Sequence, residues 1–505
     1  MQSTHANTTT KKPRTMKRRD FTKALLGGSA AILLNPVLAS AASNTSKAPW
    51  SVAFNGIIAD LAELDLTVQG KIPQACYGTL YRNGPTLFER DGQRYSHWFD
   101  PDGMIQAFQI SEKGISHRGR FVRTEKFKRE EDAGRFLLDG AGSKIEGSFP
   151  SRNNDDGNVA NTNIQPFQGE LLALWEGGSA HRVDPGTLKT LGKKDWRDDL
   201  RGVPFSAHPR FDDRGDMWNI GSLPMPDNPA LVLYHIGKGG NLKKVQVHKL
   251  EFGGYQHDFV LTPNYLIALN SSAVAHHGER FVDMFQWEAD RPSQLMVFDK
   301  NDFSLVKTIE VPPAFVFHFG NAWESDGKIT FTASQYKDAQ FMKHGMARLA
   351  KQQTGPYHQE SALLRYTIDL RKGTAEIDKL SESLEFPGFD RRYPFAEQTL
   401  LGISEGRGRP ESMQSIITQV NPESGQEQHY DFGEDIIVEE PQFISDGSST
   451  MGSGFIMHTY LNYKTERTGT AILKSGALAD GPVAMAEMDR CLPLGFHGCF
   501  LSASN

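Results

Sequence analysis

The sequence is poor in cysteine and in long apolar runs, and each shortage excludes a class of protein. Only three cysteines occur among 505 residues, Cys76, Cys491 and Cys499. A set so sparse and odd in number is no disulfide framework, and a zinc site around His497 would need more ligands at closer spacing. The longest mild apolar run covers roughly 15 residues and contains two glycines, so it is too short to span a bilayer.

An excess of basic residues and the common nucleotide or hydrolase motifs are also missing. The chain has 55 Lys and Arg against 61 Asp and Glu, for a net charge of −6. Residues 1–41 hold seven Lys or Arg and one Asp, so the rest of the chain carries −12. Such an acidic protein is not expected to bind nucleic acid. No Gly-x-Ser-x-Gly, Walker loop or complete Rossmann fingerprint occurs, since Glu411 stands where the glycine after Gly406 and Gly408 would be.

Residues 1–41 are typical of an export signal rather than of a folded domain. Arg18 and Arg19 are paired, an apolar run follows, and Ala39-Ser40-Ala41 is a small-x-small cleavage site. The pattern is that of a twin-arginine signal and predicts a protein that is periplasmic or otherwise exported. We expect residues 42–505 to form one domain.

The rest of the chain reads as many short strands separated by turns. The pattern predicts a strand over residues 95–99 that turns at Asp100-Pro101-Asp102-Gly103 and resumes at Met104, and hairpins of this kind repeat to the end. Only residues 338–351 look clearly helical. This pattern predicts an all-β fold. Residues 48–505 divided by seven give about 65 residues, enough for a four-stranded propeller blade with insertions.

Four histidines lie in similar apolar or turn-rich settings: His208, His257, His318 and His497. The gaps between them are 49, 61 and 179 residues, each about one blade or a multiple of one. Strands from different blades converge on a propeller axis, so these histidines could meet there. Imidazole is a ligand for Zn, Cu, Fe and Ni. For any one of them alone, a core histidine with a hydrogen-bonded ring is an open alternative.

Three glutamates stand in apolar surroundings, where a carboxylate is costly unless it has a partner. They are Glu176, Glu385 and Glu440. Each could hold the second ring nitrogen of a ligand histidine. The alternative is an ordinary surface glutamate at a strand end. Other histidines, including His97, His181 and His458, are expected near the surface or beside the ligands.

Read together, these motifs resemble the carotenoid cleavage oxygenases over nearly all of residues 78–500. The resemblance rests on Tyr81-Arg82-Asn83-Gly84-Pro85, His97-Trp98-Phe99-Asp100, Asp102-Gly103-Met104, Ala207-His208-Pro209, His257-Asp258-Phe259, Asn321-Ala322-Trp323-Glu324, Glu385-Phe386-Pro387, Glu440-Pro441 and Gly495-Phe496-His497-Gly498. Pro101 departs from the glycine that members commonly have there, which changes a turn and no ligand.

The resemblance implies a seven-bladed propeller capped by a dome of loops and short helices. It implies one Fe(II) per chain on His208, His257, His318 and His497, with Glu176, Glu385 and Glu440 hydrogen-bonded to three of them. Thr162 matches a position near the vacant iron site in some members. The implied reaction is cleavage of a conjugated carbon–carbon double bond by O2 into two carbonyl products.

A carotenoid or apocarotenoid is the expected substrate. A long apolar polyene needs a tunnel lined by aromatic rings, and Trp175, Trp98 and Phe317 are the candidates beside the metal motifs. Such a substrate must leave a membrane, so we expect a peripheral membrane contact through an apolar patch around Phe341, Met342 and Met346.

Three other functions stay open at this point. A cleaver of hydroxystilbenes or related phenylpropenoids would need polar groups for a phenol, and Lys126 lies in a stretch where one could sit, although Trp98 is an apolar neighbour in the motif. A non-cleaving isomerase is the second alternative. A binding propeller without iron is the third.

Overall fold

The computed structural model describes residues 47–354, 361–405 and 413–503. The proposed signal and the Gly406–Gly408 motif lie outside these ranges. No helix in the described part of the chain is long and apolar enough to cross a membrane.

Seven antiparallel sheets of four or more strands form the fold, and each is one propeller blade. This confirms the predicted all-β, seven-bladed propeller. The blades are numbered here in chain order, and their strands run from the innermost to the outermost. Blade 1 comprises His497–Ser502, Gly78–Leu87, Asp102–Ser111, Gly114–Phe121 and Leu61–Asp65. Blade 2 comprises Asn163–Phe167, Glu170–Leu174, His181–Val183 and Thr190–Lys193. Blade 3 comprises Arg210–Phe211, Met217–Leu223, Ala230–Ile236 and Leu242–Lys249.

The remaining blades follow the same order. Blade 4 comprises Val260–Leu261, Tyr265–Asn270, Ser293–Asp299 and Leu305–Val311. Blade 5 comprises Phe315–Ser325, Lys328–Tyr336, Ser361–Asp369 and Thr374–Ser381. Blade 6 comprises Glu385–Gly388, Leu400–Ser404, Ile416–Val420 and Glu427–Asp431. Blade 7 comprises Ile436–Val438 with Gln442–Ser445, then Gly454–Asn462, Arg467–Lys474, Pro482–Glu487 and Thr67–Gly70.

Two strand exchanges close the ring. The C-terminal strand His497–Ser502 pairs with Gly78–Leu87 and supplies the innermost strand of blade 1. The N-terminal strand Thr67–Gly70 pairs with Pro482–Glu487 and supplies the outer edge of blade 7. Both ends of the propeller chain are therefore built into neighbouring blades, so the first and last blades cannot separate without breaking these ladders.

Burial follows the position of each strand within its blade. In blade 5 the innermost strand, Phe315–Ser325, is buried over its first nine residues. The outermost strand, Thr374–Ser381, alternates between exposed and partly buried residues over its first five positions. Inner strands are covered on both faces and read as continuous apolar runs, whereas outer strands show the period of two of a half-exposed sheet.

Short helices and two small hairpins lie between the blade strands. The α-helices are Glu125–Ala133, Phe281–Met284 and Met346–Ala350, the last continuing a π-helical turn at Phe341–Gly345. The 3-10 turns are Pro49–Phe54, Gln74–Cys76, Asn154–Gly157, Asp198–Leu200 and Leu478–Asp480. The hairpins pair Glu89–Arg90 with Gln93–Arg94 and Ala273–Ala275 with Phe285–Trp287.

The sequence analysis found the last of these helical regions and missed the two before it. Residues 341–350 are helical, as predicted. Glu125–Ala133 is also a helix: its N-cap Thr124 accepts a hydrogen bond from the Phe127 N–H, and Gly134 ends it in the left-handed conformation. The capping threonine and the terminal glycine are sequence signals from which this helix could have been predicted.

Candidate metal centre

The four histidines predicted to meet do meet in the structure. One ring nitrogen from each of His208, His257, His318 and His497 lies within 4.8 Å of the others. Nε2 of His208 is 2.9 Å from Nε2 of His257, and Nε2 of His318 is 3.2 Å from Nε2 of His497. His257, His318 and His497 are buried, and His208 is partly buried.

Each histidine lies on, or just before, the innermost strand of a different blade. His208 and His257 just precede the inner strands of blades 3 and 4, His318 lies in that of blade 5, and His497 begins that of blade 1. The gap of 179 residues between His318 and His497 therefore spans blades 6 and 7. In blade 5 the strand register shifts on both sides of His318, and such bulges aim a side chain out of the regular pleat.

Carboxylates hold the second ring nitrogen of three histidines. Glu385 Oε2 lies 2.6 Å from Nδ1 of His318, and Glu440 Oε1 lies 2.9 Å from Nδ1 of His497. Glu176 contacts Nδ1 of His257 directly. A carboxylate can only accept here, so each Nδ1 carries a proton, and the neutral form of each ring then presents the Nε2 lone pair to the centre.

The fourth histidine is held through the backbone instead. The His208 N–H donates to Ser206 Oγ at 3.2 Å, and the Ser206 hydroxyl donates to the carbonyl of His257 at 2.8 Å. Arg210 pairs with Asp258 at 2.7 Å and also donates to the carbonyl of Phe319. These contacts tie blades 3, 4 and 5 together directly beside the cluster.

Burial and neighbouring charges act on the protonation of the rings. Burial and the neighbouring imidazoles hold the pKa values of His208, His257 and His497 well below the usual range. Burial also disfavours the charged form of His318, but the charge of Glu385 and its hydrogen bond outweigh burial and raise the pKa of that ring. Three of the four imidazoles are therefore neutral, the form that binds a metal ion.

Glu440 is the centre of a hydrogen-bond network that sequence reasoning did not find. Besides His497, it accepts from Arg82 at 3.0 Å, from the Gly498 N–H at 2.7 Å and from Gln442 at 2.9 Å. Burial raises the pKa of Glu440, and the Arg82 guanidinium opposes that shift. Arg82 appears in the sequence only within a family motif, and no local pattern pairs it with a residue 358 positions away.

Phe386 is a second contributor that the sequence did not single out for a role. Its ring stacks on His318 with centroids 4.8 Å apart, and its backbone φ is 53°. A positive φ is strained for an aromatic residue and persists where the surroundings determine it. The Phe386 N–H donates to Glu385 Oε2 at 2.7 Å, so this strained turn also orients the carboxylate that holds His318.

Thr162 contacts the cluster through a hydrogen bond of its backbone. Its carbonyl accepts from the His497 N–H at 3.2 Å, and its hydroxyl donates to Asn161 Oδ1 at 3.2 Å. It directly precedes the innermost strand of blade 2, Asn163–Phe167. Blade 2 therefore reaches the centre by way of Thr162, although it contributes no imidazole.

A buried aromatic cluster, here called the cap cluster, covers the histidines. Phe317 packs 5.2 Å from the His257 ring, and Trp98 packs 4.9 Å from Phe496, the residue before His497. Trp175, next to Glu176, is partly buried. The cap cluster includes Trp50, Phe54, Trp98, Tyr255, Phe315, Phe317, Met342, Met346 and Phe496.

Three sequence expectations are corrected by burial. Met342 and Met346 were expected in an exposed apolar patch, but both are buried in the cap cluster, because their helical segment packs against the aromatic rings. Lys126 was a candidate for holding a phenol, but its ammonium is buried between Asp102 at 2.9 Å and Glu130 at 2.8 Å. His97, His181 and His458 are likewise interior residues rather than surface ones.

The chemistry of the donor set fits a divalent metal ion. When neither Nε2 carries a proton, two such nitrogens about 3 Å apart repel each other unless a cation lies between them, and two nitrogens bound to one ion at ~2.1 Å stand at about that separation. All four donors are imidazoles and none is a carboxylate, so the site favours Fe, Zn, Cu or Ni over Mg or Ca.

Comparisons with known proteins agree with this geometry. The family described as retinal pigment epithelial membrane protein matches residues 58–502. Apocarotenoid-15,15'-oxygenase of Synechocystis sp. is 30% identical, covering 85% of this chain and 91% of that protein. Isoeugenol monooxygenase of Pseudomonas putida is 27% identical, covering 87% and 94%. The solved structure of cobalt-substituted Synechocystis apocarotenoid oxygenase superimposes with a TM-score of 0.80 at 27% identity, covering 90% of this chain and 98% of that one.

Proposed function

Because the chain belongs to the retinal pigment epithelial membrane protein family, which includes the carotenoid cleavage oxygenases, we propose that it is an iron(II) dioxygenase for a carotenoid or apocarotenoid. The family supports the coarser statement, that the protein is a cleavage dioxygenase. In the reaction proposed here, one conjugated carbon–carbon double bond is cut. Both atoms of O2 enter the products, one in each new carbonyl group.

The observation that carries the proposal is the convergence of four Nε2 atoms from four blades, with carboxylates on three of the opposite nitrogens. His208, His257, His318 and His497 would hold the ion. Iron(II) in such a site would supply the place where O2 is activated. Four neutral ligands leave the full charge of the ion uncompensated within the ligand set.

The residues around the cluster would hold the histidine rings in place and keep water out of the site. Glu385 and Glu440 retain the protons on Nδ1 of His318 and His497, which keeps both Nε2 atoms directed at the centre. Glu176 does the same for His257, and the Tyr255 hydroxyl lies 3.4 Å from that carboxylate. The cap cluster would keep water away from an ion held by the four histidines.

An apolar polyene suits the surroundings of the centre. Phe317 and Trp98 present large apolar surfaces within the cap cluster, and Trp175 stands beside Glu176 at its margin. We propose that these three rings line the substrate path. A polyene dissolved in a bilayer also requires the protein to meet the membrane surface, so we propose a peripheral contact there.

The experiment that tests this function is oxygen uptake measured in parallel with a carotenoid, an apocarotenal and a hydroxystilbene in detergent. Products are identified by absorbance and mass, and 18O2 reports whether each carbonyl carries one labelled oxygen. We expect polyene aldehydes from the wild-type protein and none from His318→Ala. Cleavage of the stilbene alone would refute the proposed carotenoid or apocarotenoid substrate. Polyene cleavage by an iron-free preparation would refute the proposed role of iron.

Cleavage of a phenylpropenoid is the second candidate, and one finding favours it: isoeugenol monooxygenase is nearly as similar to this chain as the apocarotenoid enzyme. One contact opposes it. Lys126 would have to leave its pairing with Asp102 or Glu130 to reach a phenol. The parallel assay separates the two candidates directly.

Export is a separate proposal that rests on residues 1–41. We propose that the paired Arg18 and Arg19 direct the protein to the twin-arginine pathway and thus to the periplasm. Replacement of both by lysine should retain the protein in the cytoplasm, as measured by fractionation. Unchanged export of that variant would contradict the proposal.

A further inference from the structure

A cleft of about 490 Å³ lies between blades 1 and 2, away from the histidine cluster. Residues at the end of the strand Gly114–Phe121, at the start of the helix Glu125–Ala133 and along the outermost strand of blade 2 line it. Its volume is within the range of sites that bind small molecules. The oxygenase chemistry proposed above makes no use of this cleft.

The lining of the cleft is positively charged although the protein is acidic. Five cationic side chains and two carboxylates, those of Asp60 and Glu125, line it. Glu131 and Asp155 pair with two of the cations from outside the lining. One positive charge remains in excess, in a chain of net charge −6. The cations are Arg120, Arg123, Lys128, Lys189 and Lys193.

Acidic side chains pair with four of the five cations and leave the fifth unpaired among the described residues. Arg120 and Arg123 lie 3.6 and 3.8 Å from Asp60. Arg123 also pairs with Glu131 at 2.5 Å. Lys128 pairs with Glu125 at 2.9 Å, and Lys193 pairs with Asp155 at 3.2 Å. Lys189 is exposed and forms no ion pair with any residue that the structure describes. The start of a nine-residue helix adds the positive end of its dipole to the same side of the cleft.

His181 is the least expected member of the lining. Only 3% of the residue is exposed, and its Nδ1 is buried with no hydrogen-bond partner in the described structure. Burial lowers the pKa of the ring to about 4, with Asp155 and Glu125 opposing that shift and Lys193 and Lys128 adding to it. A buried polar nitrogen without a partner costs free energy, and an apolar residue would pack as well. A ligand in the cleft would give this ring a partner.

We propose that the cleft binds a small molecule through a phosphate group. Phosphate offers several acceptor oxygens and close to two negative charges, which suits converging Lys and Arg side chains and a helix N-terminus. The phosphate can belong to a free phosphorylated compound or to the headgroup of an anionic phospholipid. The proposal is independent of the iron site and of the oxygenase substrate.

Calorimetric titration with inorganic pyrophosphate at constant ionic strength tests the site. We expect saturable binding that is weakened about tenfold or more by the double variant Lys128→Gln/Lys189→Gln and by His181→Phe, since each removes a contact to a charged ligand. Lys113→Gln is the matched control, because Lys113 is an exposed lysine of blade 1 outside the cleft. The double variant changes only surface side chains, so the test holds even if His181→Phe fails to fold.

Vesicles of phosphatidylcholine with and without phosphatidylglycerol distinguish the two sources of phosphate. Sedimentation with the anionic vesicles that is lost in the double variant and kept in Lys113→Gln identifies a lipid headgroup. Pyrophosphate binding without that lipid preference identifies a free phosphorylated compound. Absence of both kinds of binding, or equal weakening in Lys113→Gln, would overturn the proposal.

Discussion

At the scale of single residues, one hydrogen bond decides which ring nitrogen of a histidine faces the centre. Glu385 and Glu440 bind Nδ1 of His318 and His497, so the lone pair on Nε2 points inward. A ring without that partner could rotate or change tautomer, and its affinity for a metal ion would fall. The glutamates are therefore expected to act on metal binding through the histidines.

Replacement of Glu385 by glutamine should weaken iron binding or activity by about 10–100-fold. The amide keeps the shape of the side chain but loses the charge that retains the proton on His318. Iron content and oxygen uptake measure the effect, and Glu376→Gln, on the exposed outer strand of the preceding blade, is the control. Wild-type iron content and oxygen uptake in Glu385→Gln would show that Glu385 has no role in metal binding. The same result in Glu176→Gln and Glu440→Gln would show it for those two carboxylates.

Replacement of any of the four histidines by alanine should abolish retention of iron during purification. Each contributes one donor atom to the cluster, and the remaining three would leave the ion accessible to water. Metal analysis of His257→Ala and His497→Ala gives the readout, with His429→Ala on the exposed edge of blade 6 as the control. Full iron content in either variant would remove that histidine from the site.

At the scale of the structural element, the inner strand of blade 5 is the most constrained segment of the site. It carries His318, its register shifts on both sides of that residue, and Gly320 packs directly against Thr332 of the neighbouring strand. The carbonyl of Gly320 also accepts from Arg210 at 3.0 Å. A side chain at position 320 would push this strand away from its neighbour.

Gly320→Ala should therefore lower the free energy of unfolding by about 1–3 kcal/mol, the usual cost of overpacking. The added Cβ would overlap the Thr332 hydroxyl and displace the bulge that aims His318. The denaturant concentration at the midpoint of unfolding and the iron content should both fall. Gly239→Ala is the control because its Cβ would meet nothing closer than 3.6 Å. A stable Gly320→Ala protein with full iron content would show that the strand can move.

At the scale of the whole molecule, the histidine cluster joins blades that are distant in the chain. Its members come from blades 1, 3, 4 and 5, and the strand exchanges at blades 1 and 7 close the ring around it. A ligand that binds only the folded state raises the stability of that state by mass action. Metal binding is therefore expected to stabilise the entire propeller.

Removal of iron with a chelator should lower the unfolding temperature, and reloading should restore it. A free metal concentration of 100 times Kd corresponds to about 2.7 kcal/mol. Differential scanning calorimetry measures the shift, and His318→Ala should show none on reloading. An unchanged unfolding temperature of the chelated wild-type protein would contradict binding at this site.

Buried histidines away from the cluster predict a loss of stability in acid. Burial lowers the pKa of His117 to about 3 and that of His458 to about 4, whereas the unfolded values are near 6.5. Between these values the unfolded chain binds more protons, so stability falls as the pH is lowered from about 6.5 toward 4, by up to about 1.4 kcal/mol per pH unit for each histidine. Denaturation of His458→Phe should show a shallower pH dependence than wild type, and an identical slope would be evidence against this assignment.

Local sequence patterns determined much of this protein. Short strands with turn residues between them predicted the all-β propeller, and His208, His257, His318 and His497 could be selected because their spacing matches whole blades. The family motifs pointed to the glutamates that now lie on His257, His318 and His497. Turn chemistry, strand patterning and motif order are local properties, so they can be read before the chain folds.

Only the tertiary structure decided which polar and apolar residues are enclosed. Met342 and Met346 belong to the cap cluster rather than to a surface patch, and Lys126 is enclosed with Asp102 and Glu130. Arg82 reaches Glu440 across 358 residues of sequence. The cleft around His181 likewise exists only where blades 1 and 2 meet. Burial and pairing of this kind depend on contacts between distant blades, and no local pattern of residues contains that information.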